Sequence, residues 1–390
     1  MNRNVWLLSL CQALLMTGNI LLISVIGLIG KQIAPSASMI TLPVALQFLG
    51  LMSATIPASL ISGKLGRKRG FSIGNVVGIT GASLATYSLT QQNFYLFCFA
   101  TFLLGIGIGF GTLYRFAAIE VCNVNARHRA ISISMAGGVL AAVLGPNLAI
   151  QSQQWSPDGL YIGAFGSLIV LNIIALIILQ TIQFPKVSLS SKSLKAEKLG
   201  VIIKEPNFMA AVFAAMVAYA VMNILMTATP LAMIGCGFDF TRAAGVIEWH
   251  VLGMFLPAFF TGRLIEQFGA RIMILVGGLL FVACIAINIH GQSIWHFRAA
   301  LVLLGVGWNF MFIAATGMFS QAYKERNKAK AQAFNECVVF SCVTVTALLS
   351  GWLESTAGWQ NLNIYVLPFV LMVIGLFAWD VKKSQVVNPT

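Results

Sequence analysis

Polar and apolar positions along this chain do not alternate on the scale of a strand or of one helical turn; they alternate in blocks of about 20 residues, the length a helix needs to cross roughly 30 Å of hydrocarbon. Twelve apolar blocks are legible, at 5–30, 41–63, 71–90, 94–121, 130–151, 159–183, 207–234, 242–265, 272–290, 294–321, 331–353 and 360–380. Each predicts a membrane-spanning helix. A β-barrel would instead show segments of about ten residues with alternating polarity. One polar interval is long, "FPKVSLSSKSLKAEKLGVIIKEP" at 184–206, with five lysines and four serines between two prolines. It predicts a linker, partly an interfacial amphipathic helix, between a bundle at 1–183 and a second at 207–390.

Composition agrees with the pattern. Of 390 residues, 58% are hydrophobic and 9% charged, and mean hydropathy is +0.87. The net charge of +13 would suit a nucleic-acid binder, but the basic residues sort by side. Twenty of the 24 fall at the N-terminus, the C-terminus and the loops on their side, against Lys31, Arg242 and Arg298 opposite. The positive-inside rule therefore places both termini in the cytoplasm, and no basic soluble domain remains to hold nucleic acid. The seven cysteines form no CxxC pair and read as buried thiols, so neither a disulfide framework nor a metal site is expected. The apolar stretch before Cys11 is too short for a cleaved signal.

The second half echoes the first. "LLGIGIGF" at 103–110 returns as "LLGVGWNF" at 303–310, "IPASLISGKL" at 56–65 as "LPAFFTGRL" at 256–264, "QFLG" at 47–50 as "HVLG" at 250–253, and "NIL" at 19–21 as "NIL" at 223–225. Four matches in one order, at offsets between 199 and 204, predict an internal duplication. An even number of spans per copy makes the copies parallel, the arrangement of transporters that rock about a midplane site.

Twelve spans in two sixfold halves, a basic loop between spans two and three and a lysine-rich central loop resemble the major facilitator superfamily over the whole chain. The most specific match is "GRLIEQFGAR" at 262–271, which fits that family's G-x-L-x-[DE]-x-x-G-x-[RK] loop. The resemblance implies an all-α integral membrane fold of twelve transmembrane helices in two parallel six-helix repeats. It implies a gate latched by Glu266 and Arg271, with Arg67 in the acid-free first-half copy "GKLGRKRG", and by the E-x6-R-x2-A segment of Glu120, Arg127 and Ala130. In span five, Gly137, Ala141, Gly145 and Pro146 are spaced as in the superfamily's proton-driven exporters, though small residues four apart also serve plain helix packing.

Chemistry inside the membrane is sparse. The glycines at 105, 107, 109 and 111 miss the G-x-G-x-x-G pattern because Phe110 takes the third glycine's place, so they read as packing surface. Arg115 costs at least about 2.5 kcal/mol in a span unless it is paired or faces water. It is read either as the attractor of an anionic solute group or carboxylate, or as a residue that snorkels or locks the bundle. Glu248, His250 and Glu336 are the candidates for proton coupling, the first two on different helix faces because they stand at i and i+2. Asn19, Gln47, Asn223, Trp308 and Asn309 lie near mid-depth; amides can hold polar solute groups and an indole offers a stacking face, with interhelical bonding as the alternative role.

The expectation is a monomeric, cofactor-free secondary transporter of the bacterial inner membrane, moving a small organic solute, anionic if Arg115 binds it, by alternating access and proton-coupled export (an efflux antiporter). Proton-coupled uptake of an organic anion or metal chelate is the alternative. A membrane-embedded enzyme would need a nucleophile or metal cluster that the sequence does not offer.

Overall fold

A run of 20 to 30 apolar residues in lipid has one way to satisfy its backbone within itself, and the chain takes it. The computed structural model describes residues 3–114, 117–118, 121, 127–155, 161–184, 197–205, 207–324 and 327–387, and among these it is almost wholly helical, with no strand. Spans one to six are Arg3–Ile33, Leu42–Leu65, Arg67–Thr90, Phe94–Gly111, Arg127–Gln153 and Ile162–Thr181. Spans seven, nine and ten are Phe208–Gly235, Ala270–His290 and Ile294–Gln321. Span eight is broken into Phe240–Phe255 and Ala258–Phe268, bent by 43°, at Pro257, which lacks the N–H needed to continue the helix. Spans eleven and twelve lie within Lys328–Val387, divided at the non-helical Gly358.

Three tight connections share one backbone device. Gly66 (φ 88°, ψ 154°) joins spans two and three, Gly269 (φ 86°, ψ 152°) joins eight and nine, and Gly358 (φ 80°, ψ 166°) joins eleven and twelve. Positive φ with extended ψ is open essentially to glycine alone.

Eight of the described helices are long and apolar enough to cross a membrane, nine if the bent pair counts as one, with spans eleven and twelve taken together. Span three is not among them, because Gly, Ser, Thr and Asn replace much of its aliphatic content. Those small residues serve packing. A Cβ at Gly74 would lie 2.4 Å from the Phe110 side chain of span four, and one at Gly81 would lie 2.9 Å from the backbone of Leu104.

The duplication is visible at the helix crossings. Spans two and four meet where Gly50 faces the Phe102 carbonyl and Gly105 the Gln47 carbonyl; spans eight and ten meet where Gly253 faces the Val302 carbonyl and Gly305 the His250 carbonyl. Gly107 lies against the Gly74 carbonyl, and Gly307 likewise against that of Gly277.

Burial along the two central helices shows which end of the cleft between the halves is closed. From 220 to 233 every residue of span seven is buried, and from 17 to 30 of span one all but Asn19 and Ile23 are. Toward the end that carries the chain termini, Phe213, Met216 and Tyr219 of span seven and Gln12 and Met16 of span one are only half-buried. Contacts that join the halves cluster at the far end. Thr41 Oγ1 donates to the Leu348 carbonyl at 2.9 Å and accepts from the Gly351 N–H at 3.2 Å, and the Tyr161 and Phe240 rings meet edge-on at 5.2 Å. The cleft is closed at the far end and opens on the terminal side.

Candidate functional site

On the wall of the cleft built by the second half, aromatic side chains form one connected group. Trp308 and Phe312, four residues apart on span ten, stack with centroids 5.0 Å apart and planes 10° from parallel. Tyr219 of span seven stands edge-on to both, at 5.5 and 5.4 Å, and to Phe340 of span eleven at 5.6 Å. Tyr219, Phe312 and Phe340 are half-buried, so the group presents a face as well as a core.

Amides lie next to it and opposite. One turn beyond Tyr219, Asn223 is fully buried; its Nδ2 donates to the Val343 carbonyl at 3.2 Å and to Thr346 Oγ1 at 3.3 Å, both on span eleven. In the first half Asn19, its counterpart by the repeat, is half-buried, and its Oδ1 accepts from Gln47 Nε2 at 2.8 Å. Asn19 also borders a cavity inside the first bundle, with Asn75, Asn172 and Tyr114, of about 30 Å³. That volume suits a single water, not an organic solute.

Asn309, expected among the solute-binding amides, is committed elsewhere. Its Nδ2 donates to the Met254 carbonyl at 2.6 Å, and its Oδ1 accepts from Thr261 Oγ1, also at 2.6 Å. The break at Pro257 strips Met254 of its helical donor, and Asn309 replaces it. Its place is therefore the helix break, 1% exposed, and not the cleft wall.

The titratable candidates separate. Glu248 points across to the first half, where Asn147 Nδ2 of span five donates to its Oε2 at 3.2 Å. His250 turns the other way and is fully buried, its Nδ1 2.8 Å from the Leu301 carbonyl of span ten. The two do not form one site, in keeping with their spacing. Glu336 is half-buried on span eleven.

At the terminal side, Arg271 forms an ion pair with Asp380 of span twelve, and its Nη2 donates to Asn207 Oδ1 at 3.0 Å. The partner of Arg271 is thus Asp380, while Glu266 is exposed and Arg67 half-buried. Arg115, Glu120 and the side chain of Arg127 lie outside the described residues. Tyr219, Phe312, Phe340, Asn147 and Asp380 were not singled out from the sequence. Tyr219 and Phe312 had a usable signal, each standing one helical turn from a residue that was.

The profile of the Major Facilitator Superfamily matches residues 8–249 and 245–389. The chain belongs to that superfamily. It is similar to the riboflavin transporter RfnT of Brucella anthropi, 36% identical over 374 residues that cover 95% of this chain and 94% of the relative. The uncharacterized MFS-type transporter YddS of Bacillus subtilis is 26% identical over 380 residues, 93% of this chain and 87% of the relative. In structure, the chain resembles the nucleoside transporter NupG with a TM-score of 0.71 over 95% of this chain and 99% of that one, at 13% identity, which shows the shared fold. The chain is an integral multi-pass membrane protein of a small-solute transporter family, with its twelve helices in two parallel repeats of six.

Proposed function

We propose that the chain transports riboflavin or a closely related planar heteroaromatic solute across a bacterial inner membrane. The observation that carries this reading is the stacked Trp308–Phe312 pair with Tyr219 and Phe340 beside it, in a chain 36% identical to a riboflavin transporter. A flat ring gains both burial and stacking against such a group. Asn19 on the opposite wall, half-buried and held by Gln47 behind it, supplies a polar partner for the solute's hydroxyl groups. A neutral flat solute takes the place of the anion expected from Arg115.

The two bundles, 1–183 and 207–390 joined by 184–206, rock about this site. The terminal side is taken as cytoplasmic on the distribution of basic residues. Glu248, bonded to Asn147 across the closed end, is the proton-coupling group of this reading, since separation of the halves breaks that bond and changes the partner of its carboxylate. Arg271 with Asp380 belongs to the cytoplasmic gate.

Direction is read as uptake. The fifth-span residues that suggested export are occupied by packing: a Cβ at Gly137 would lie 3.1 Å from Ala13 Cβ, and one at Gly145 would lie 2.8 Å from Ile20 of span one. The deciding experiment is transport of labelled riboflavin into proteoliposomes with an imposed pH gradient. Accumulation that follows inward proton flow is expected. Release driven by that flow would restore export, and neither uptake nor exchange would sink the flavin reading.

A further inference from the structure

Three buried polar atoms without partners among the described residues lie on spans seven and ten, which carry much of the aromatic group. Asn223 spends its Nδ2 on span eleven, which leaves Oδ1 buried with nothing to accept from among the described residues. Thr227, one turn further on the same face, has its hydroxyl unpartnered as well, whereas Thr229 on another face donates to the Leu225 carbonyl at 2.7 Å. Trp308 is 8% exposed, and its Nε1 N–H has no acceptor among the described residues. Ring contacts set Asn223 beside the aromatic group, and Thr227 follows it along span seven. Tyr219, four residues before Asn223, packs on Trp308 and on Phe340, and Phe340 is three residues before Val343, which holds Asn223.

Buried polar groups in native proteins are nearly always paired, and a cluster left open beside a stacking surface in a transporter has a ready candidate for its partner. The types left open define that partner. Asn223 Oδ1 can only accept, Trp308 Nε1 can only donate, and a threonine hydroxyl can do either. None of the three carries a charge.

We propose that these atoms read the edge of a cyclic imide. The imide N–H donates to Asn223 Oδ1, one flanking carbonyl accepts from Trp308 Nε1–H, and the other accepts from the Thr227 hydroxyl. Tyr219, half-buried and one turn nearer the open end, swings aside to admit the ring. Asn223 is then the specificity-determining residue. The solute class is neutral heteroaromatics with a pyrimidinedione edge, of which riboflavin, on the reading above, is one member. A carboxylate gains nothing from Asn223 Oδ1, so anions are disfavoured.

The test is equilibrium binding to the purified full-length protein in nanodiscs, with two probe pairs: riboflavin against N3-methylriboflavin, and uridine against N3-methyluridine. Methylation removes the donor and blocks the edge, so wild type is expected to bind the methylated member at least about tenfold more weakly, as sites built around a hydrogen bond reject analogues that lack it. In Asn223→Ala the unmethylated probe weakens about tenfold and the methylated one does not, so discrimination falls to within about twofold. Trp308→Phe keeps the ring and loses the N–H, which guards against a folding defect at Asn223; it is expected to weaken the unmethylated probe about fivefold. Equal binding of both members by wild type overturns the proposal, as does undiminished discrimination in Asn223→Ala. If only the uridine pair binds and is discriminated, imide reading stands and the flavin reading falls. If neither pair binds, both fall.

Discussion

Gly105 approaches the backbone of Gln47 so closely that a Cβ on it would stand 2.0 Å from the Gln47 carbonyl oxygen. Its counterpart Gly305 approaches the His250 carbonyl in the same way, at 2.3 Å. These crossings hold spans two against four and eight against ten, and membrane helices gain most from such approach because lipid gives them no hydrophobic drive to associate. Gly105→Ala is expected to destabilise the detergent-purified protein by about 1–3 kcal/mol, the usual range for overpacking. Gly27→Ala is the control, since a Cβ there meets nothing within 4 Å. A thermal midpoint in Gly105→Ala no lower than in Gly27→Ala would contradict the crossing.

The stacked pair predicts a graded loss of affinity. Trp308→Ala removes the face and its edge contacts, and Phe312→Ala removes the ring beneath it. Aromatic stacking on a heterocycle is worth about 1–3 kcal/mol per ring, so riboflavin affinity should fall roughly five- to hundredfold in each. Phe312→Tyr keeps the ring and should stay within a few-fold. Flavin fluorescence titration measures all three, and unchanged affinity in both alanine variants would remove the site from this wall.

Much of this architecture is legible in the sequence. All twelve spans follow from blocks of apolar residues, and the crossing glycines from their echo 200 residues later, because both are local or periodic features. Less legible was the use of individual polar residues. Asn309 and Asn223 look alike in sequence, yet one repairs a helix broken at Pro257 and the other keeps an open acceptor, a difference set by which neighbouring helix each meets. Asp380 was missed for the same reason: its partner, Arg271, is brought near only when span twelve packs on span nine.

Asn309 therefore makes a prediction about stability rather than transport. Asn309→Leu leaves the Met254 carbonyl without its donor and the Thr261 hydroxyl without one acceptor. A buried polar group stripped of its partner costs about 1–3 kcal/mol, so the melting temperature should drop while riboflavin affinity in the folded fraction is preserved. A variant with normal melting and lost affinity would return Asn309 to the solute-binding wall.

Glu248 and Asn147 form a contact that joins a carboxylate of one half to the other at membrane depth. Glu248→Gln keeps the hydrogen bond to Asn147 possible and removes the exchangeable charge. Expected is loss of pH-gradient-driven accumulation with solute exchange retained at about wild-type rate, because exchange needs rocking but no net proton movement. Asn147→Leu should instead slow both. Full accumulation by Glu248→Gln would assign coupling to another group.

At the closed end, Gly351 offers a way to shift the conformational balance without touching the solute site. A Cβ there would lie 2.6 Å from Thr41 Cγ2, while the Gly351 N–H and the Leu348 carbonyl are both bonded to Thr41 Oγ1. Gly351→Ala drives a wedge into this seal and penalises only the state in which the far end is closed. A penalty borne by one state moves the equilibrium by that amount, and about 1.4 kcal/mol is tenfold in the populations. Spin labels at the exposed Ser38 and Ser355, in a background without the exposed cysteines 236 and 337, report the separation of spans two and eleven at this end. The expected result is a longer-distance population that grows in Gly351→Ala and shrinks when Thr41→Ser is added, which removes Cγ2 and keeps the hydroxyl of the seal. A distance distribution identical to wild type in Gly351→Ala would mean that the seal does not set the balance.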